Sequence, residues 1–94
     1  MLDKMKQFME LKSKMEEIKK ELDLLRMESE DNLVKVAING SQEIKSVSIK
    51  VELSGADKAK LEASLLETVN RAVRESQKTA AQKMSALSGL PGLS

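Results

Sequence analysis

Arg71, Arg74 and Lys78 are spaced three and four residues apart. On a helix advancing roughly 100° per residue they fall at about 0°, 300° and 340°, so the three cations form one stripe. A row of exposed cations suits contact with backbone phosphates, each contact releasing counterions from the duplex. A plainer role is also available. Glu67 and Glu75 stand four residues to either side of Arg71, and the residues alone favour a solvated face with local ion pairs over phosphate contact. A second group of cations, Lys4, Lys6, Lys12 and Lys14, lies near the amino terminus with Lys19 and Lys20 beyond it. Glu10, Glu16, Glu17 and Glu21 dilute that stretch. Lys4 and Lys6 have only Asp3 close by, which makes them the better candidates for a phosphate-facing tip.

Other chemistry is hard to assemble. The 94 residues include no His, Cys, Trp or Tyr and one aromatic side chain, Phe8. The commonest metal ligand and acid–base group is therefore missing, as is any thiolate. No Gly-rich phosphate loop, paired carboxylates in an apolar setting or nucleophile with a base can be built. These gaps predict a protein that is not an enzyme and takes no metal, cofactor or small-molecule substrate. No helix-turn-helix, zinc knuckle or stacking platform offers direct base reading either. Sixteen Lys and Arg against fifteen Asp and Glu leave a net charge of +1, far from the balance of a simple electrostatic DNA binder. The amino-terminal segment mixes charges into every turn, without the apolar run of a signal peptide or membrane span, and so predicts a cytoplasmic protein.

The elements that must carry these cations follow from periodicity. Phe8, Leu11, Met15, Ile18, Leu22 and Leu25 alternate steps of three and four, a heptad seam that predicts a helix over 1–26. So narrow a seam suits another helix, in this chain or a second copy. Over 27–53 the period changes to two. Val34, Val36 and Ile38, then Val47, Ile49 and Val51, alternate with polar or small residues, predicting strands with Val36 and Ile49 turned into the sheet core. A shorter strand near Arg26–Glu30 is a further expectation. Asn39-Gly40 marks the hairpin between the two main strands, through either a two-residue or a four-residue connection reaching Gln42. Ser54 or Asp57 is placed to cap a second helix over 56–88. Its apolar side carries Leu61, Leu65, Val69, Ala72, Val73, Ala80, Met84 and Leu87, with the Arg71 stripe opposite. The tail 89–94 reads as loose.

A single α+β domain over 1–94 results, with a small antiparallel sheet and two helices long enough to overhang it. At about 1.5 Å per residue such helices reach roughly 40 Å, against about 20 Å for a strand. With so few large side chains the core is thin, and the chain is expected to need a partner copy. Met5, Met9, Met15, Met27 and Met84 serve as adaptable packing in this reading.

LVKVAING and the following EIKSVSIK resemble the central hairpin of the bacterial YbaB/EbfC family, with its Val-Lys-Val stretch, Asn-Gly turn and Val-x-Ile strand. Val69-Asn70-Arg71-Ala72 is similar to that family's second-helix pattern, and Lys83-Met84 with Gly89-Leu90-Pro91-Gly92-Leu93 to its ending. The resemblance spans nearly the whole chain. It implies an α-β-β-β-α subunit in an intertwined, tweezer-like homodimer with protruding helices, which binds DNA in the nucleoid and acts on gene expression. The expectation is a homodimer meeting duplex phosphates with low sequence specificity through Lys4, Lys6, Lys12, Lys14, Arg71, Arg74 and Lys78. The alternative, favoured by near-neutral charge, is a homodimeric adaptor for recombination or replication proteins.

Overall fold

A computed structural model of the chain describes residues 2–86. Its elements run α1 (Leu2–Leu24), β1 (Met27–Glu30), β2 (Val34–Ile38), β3 (Ile44–Ile49), a 3-10 turn (Leu53–Gly55) and α2 (Lys58–Ser85). The expected α-β-β-β-α order is present, including the short first strand. Both helices end inside the expected limits. Asp57 is the cap of α2, accepting from the Lys60 amide at 3.1 Å, while Ser54 lies in the 3-10 turn. Leu87 and the tail 89–94 fall outside the described residues.

The strands form one antiparallel sheet in the order β1-β2-β3. Register places Val36 opposite both Ser29 and Val47, and Val34 opposite Ile49. Central β2 supplies the core. Val34, Val36 and Ile38 are fully buried, each worth about 1.5–3 kcal/mol of transfer free energy. Val36 and Ile38 pack on Ala72, with Met27, Val69 and Val73 around them. α2 covers β1 and β2 and stops there, so every residue of β3 is exposed. The expectation for Ile49 is thus corrected: it shares a face with buried Val34, but no helix lies over it, and it is 44% exposed.

The inner face of α2 also differs from its apolar pattern. Its fully inward positions are Ser64, Thr68, Ala72 and Ser76, four residues apart, whereas Leu61, Leu65, Val69, Val73 and Ala80 are only half-buried and Met84 is exposed. Small side chains let helix and sheet approach, and their hydroxyls find partners on the sheet. Ser64 and Thr68 donate to the Asp31 carboxylate, and Ser76 donates to the Asn39 carbonyl at 2.8 Å. Buried hydroxyls are tolerated because they are satisfied, and no described buried side-chain polar atom lacks a partner.

The hairpin connection runs from Asn39 to Glu43, with a register shift at Ala37/Ile38, and the left-handed residue is Gln42, at φ 65°. Asn39-Gly40 is therefore not a two-residue turn. Asn39 organises the loop instead, its side-chain oxygen accepting from the Ser41 and Glu43 amides at 2.9 and 3.0 Å. Gly40 is required by close approach: a Cβ there would lie 2.8 Å from Leu22 Cδ2 and 2.9 Å from the Leu22 carbonyl oxygen. The molecule is long and thin, 68 × 20 × 13 Å.

Candidate nucleic-acid interface

The length belongs to the helices. α1 is held at its carboxyl end, where the Gly40 amide donates to the Leu22 carbonyl at 2.8 Å. The Asn39 side-chain amide donates to the Asp23 carbonyl at 3.3 Å, the Ser41 hydroxyl donates to the Asp23 carboxylate, and Lys83 pairs with Glu21 at 3.2 Å. Leu22 is buried and Ile18 and Leu25 half-buried. Towards the amino terminus the helix leaves the body: from residue 3 to 17 only Leu11 is better than exposed, and Met5, Phe8 and Met9 are 65–67% exposed. The heptad seam is therefore covered at Leu22 and open at Phe8. A shallow groove lined by Met15, Ile18, Leu22 and Met84 marks the changeover.

The candidate cations divide by what holds them. Lys4, Lys6 and Lys12 stand on the overhanging part of α1, exposed, and make no ion pair with any described residue. Lys14 pairs with Glu17 at 3.2 Å. On α2, Arg74 and Lys78 are exposed and unpaired among the described residues.

Arg71 is a correction. It does not stand clear of the packed side, because its guanidinium reaches β1, donating to the Ser29 hydroxyl at 3.4 Å, the Glu30 carbonyl at 3.3 Å and Glu67 at 3.4 Å. The packed face of α2 is centred on Ser64, Thr68 and Ala72 rather than on Leu65 and Val73, which brings position 71 to its edge. Lys19, Lys20, Lys58 and Lys60 are exposed and equally unpaired. Lys58 and Lys60 do not stand out in the sequence; their sequence neighbours Asp57 and Glu62 form no ion pair among the described residues, and Asp57 is engaged as the helix cap.

The sheet's other face is electrically closed by comparison. Lys35 meets Glu28 at 2.6 Å and Lys50 meets Glu30 at 3.1 Å. The hydrogen bond from Lys35 lowers the Glu28 pKa, and the same bond raises that of Lys35. Asp31 lies at the β1–β2 turn, where the Ser64 hydroxyl and the Val34 and Leu33 amides hold its carboxyl down at about 2. It is thus a fixed anion tying α2 to the sheet. Free positive charge is left to the helices, where extended anions such as phosphates have access. Among the described residues no cluster of acidic side chains is arranged to hold a metal ion, and no helix is long and apolar enough to cross a membrane.

A small antiparallel sheet carries two overhanging helices whose exposed cations are largely unpaired among the described residues. The sequence model of the YbaB/EbfC DNA-binding family matches residues 1–90, and the chain belongs to that family. Its partner class is accordingly DNA, and membership points to a binding role rather than a catalytic one.

Proposed function

We propose that this protein is a non-enzymatic, nucleoid-associated protein of the bacterial cytoplasm that binds duplex DNA as a homodimer with low sequence specificity. Its proposed contacts are Lys4, Lys6 and Lys12 on the α1 arm and Arg74 and Lys78 on α2. The observation that carries this reading is that these five candidates are exposed and make no ion pair with any described residue. Lys14 joins them when its exposed pair with Glu17 gives way, at a cost of about 0.3–0.5 kcal/mol. Arg71 acts mainly by anchoring α2 to β1.

Lysine and arginine tips meeting phosphates position a protein without reading sequence, and with no base-reading element the preference for particular sites is weak. An effect on gene expression follows from occupancy. The homodimer reading is supported by surface area. The chain exposes 7084 Å² at 10.4 kDa, whereas a compact monomer of that mass exposes roughly 5,400 Å².

Gel-shift titration of unrelated duplexes at two salt concentrations is the test. Five contacts per protomer, doubled in a dimer, give a slope of log affinity against log salt near −9, at about 0.9 per phosphate. Absence of a shift, or a slope near zero, refutes the reading. It then favours a protein–protein adaptor, for which the open seam at Met5, Phe8 and Met9 is the specific support.

A further inference from the structure

α1 and α2 run antiparallel where they meet. Lys83 pairs with Glu21 at 3.2 Å, and three residues further on Ala86 lies in a groove with Lys14, Glu17 and Ile18 of α1. Each step forward along α2 is thus a step back along α1, towards its overhanging part. On the other flank of this crossing Met84 shares an apolar groove of about 400 Å³ with Met15, Ile18 and Leu22, large enough to seat side chains. Beyond it the seam of α1 continues uncovered among the described residues. Met15 and Met84 are 45% and 41% exposed, Leu11 is half-buried, and Phe8 is 67% exposed.

Ala86 is followed in the chain by Leu-Ser-Gly-Leu-Pro-Gly-Leu-Ser, residues 87–94. This segment carries no charged side chain, and its Leu residues recur at steps of three. Leu87 stands three positions after Met84, on the stripe that fronts the apolar groove. Gly89, Pro91 and Gly92 oppose a continued helix. An extended, polyproline-like chain turns once in three residues, which puts Leu87, Leu90 and Leu93 on one side. At about 3.1 Å per residue the segment reaches roughly 25 Å. Met15 and Phe8 are only about 10 Å apart along α1.

We propose that residues 87–94 lie back along α1 as a strap, with Leu87 and Leu90 closing the groove at Met15 and covering Leu11 and Phe8. Length, direction and chemistry agree on this seat. The antiparallel crossing aims the chain at the open seam, and the seam begins beside the residue at which the segment starts. An uncharged strap also suits a groove whose charged neighbours Lys12, Glu16 and Lys19 nearly cancel. Tethering favours the segment over any free partner, because a module joined by a short link is present at an effective concentration on the order of millimolar. The strap braces the overhanging part of α1 against the end of α2. The proposal depends on neither the DNA reading nor the homodimer.

The chain has no cysteine, so introduced pairs report proximity directly. The full chain carrying Leu11→Cys with Leu90→Cys is oxidised with diamide and compared with Met9→Cys/Leu90→Cys, whose α1 position lies on the opposite side of the helix. A disulfide needs Cα atoms within about 7 Å, so the Leu11 pair is expected to close within one chain at least tenfold faster than the Met9 pair. Equal rates overturn the proposal. A disulfide that forms only between chains, read by mixing the single variants Leu11→Cys and Leu90→Cys, overturns it too and gives the seam to the segment of another copy. Amide hydrogen exchange on a Leu87→Ser/Leu90→Ser variant supplies a second readout. Its α1 amides between Phe8 and Met15 are expected to exchange at least threefold faster than in wild type, because the arm has lost its brace. Unchanged exchange there overturns the proposal as well, and this measurement decides if a cysteine pair prevents folding.

Discussion

Replacing Lys4, Lys6 and Lys12 together with Ala removes three of the five unpaired cations assigned to DNA contact on each protomer. All three are exposed, so folding stability is expected to stay within about 0.5 kcal/mol of wild type. The DNA effect is far larger. With both protomers engaged, six contacts are lost, and the salt slope falls from about −9 to about −3.6 at 0.9 per phosphate. Between 50 and 200 mM salt the wild type loses a factor of roughly 10⁵ in affinity and the variant only about 10². Removing Arg74 and Lys78 instead leaves six contacts and a slope near −5.4. Fluorescence anisotropy over a salt series, on two unrelated duplexes, reads all three slopes. If the triple variant keeps the wild-type slope, the α1 arm does not meet phosphates. If its affinity falls on one duplex only, the contacts are reading sequence and the positioning argument fails.

Gly40→Ala forces a methyl group against the Leu22 backbone, at 2.9 Å from its carbonyl oxygen, and is expected to cost about 1–3 kcal/mol as overpacking; urea denaturation measures it, and an unchanged midpoint contradicts the clamp at the root of α1. Val36→Asp buries an unpaired charge at a fully inaccessible position and should leave no folded protein by circular dichroism, because such a group finds no partner there. Asp31 has its pKa held down to about 2, chiefly by the Ser64 hydroxyl, below its unfolded value. Its contribution to stability is therefore complete above pH ~4 and lost as the pH falls through about 2. Asp31→Asn should flatten the acid limb of a stability–pH curve over that window, and a wild-type curve already flat there refutes the role.

Much of the fold was legible because period reports element type. The three-four seam of α1, the alternation around Val36 and Ile38 and the long repeat of α2 each gave the right element. Which face turns inward was harder. The hydropathy of α2 pointed to Leu65 and Val73, but Ser64, Thr68 and Ser76 lie deepest, because Asp31 and Asn39 offer acceptors that no helical pattern can reveal. Arg71 was misplaced for the same reason. β3 alternates as well as β2 does, yet alternation cannot say whether a helix covers a strand, and Ile49 is open. Lys4, Lys6, Lys12, Arg74 and Lys78 were legible as exposed cations. That Lys14 is paired and Lys58 and Lys60 are not depends on side-chain geometry, to which spacing contributes little.

The attachment of α1 makes it a lever with its fulcrum at Leu22. Eighteen residues separate Leu22 from Lys4, about 27 Å of helix, while the clamp at Gly40, Asn39 and Ser41 occupies a single turn at the other end. A tilt of about 7° at the fulcrum swings the tip through roughly 3 Å. Any small change in the angle at which α1 leaves Leu22 is therefore magnified at Lys4, while the sheet that carries the clamp stays as it is.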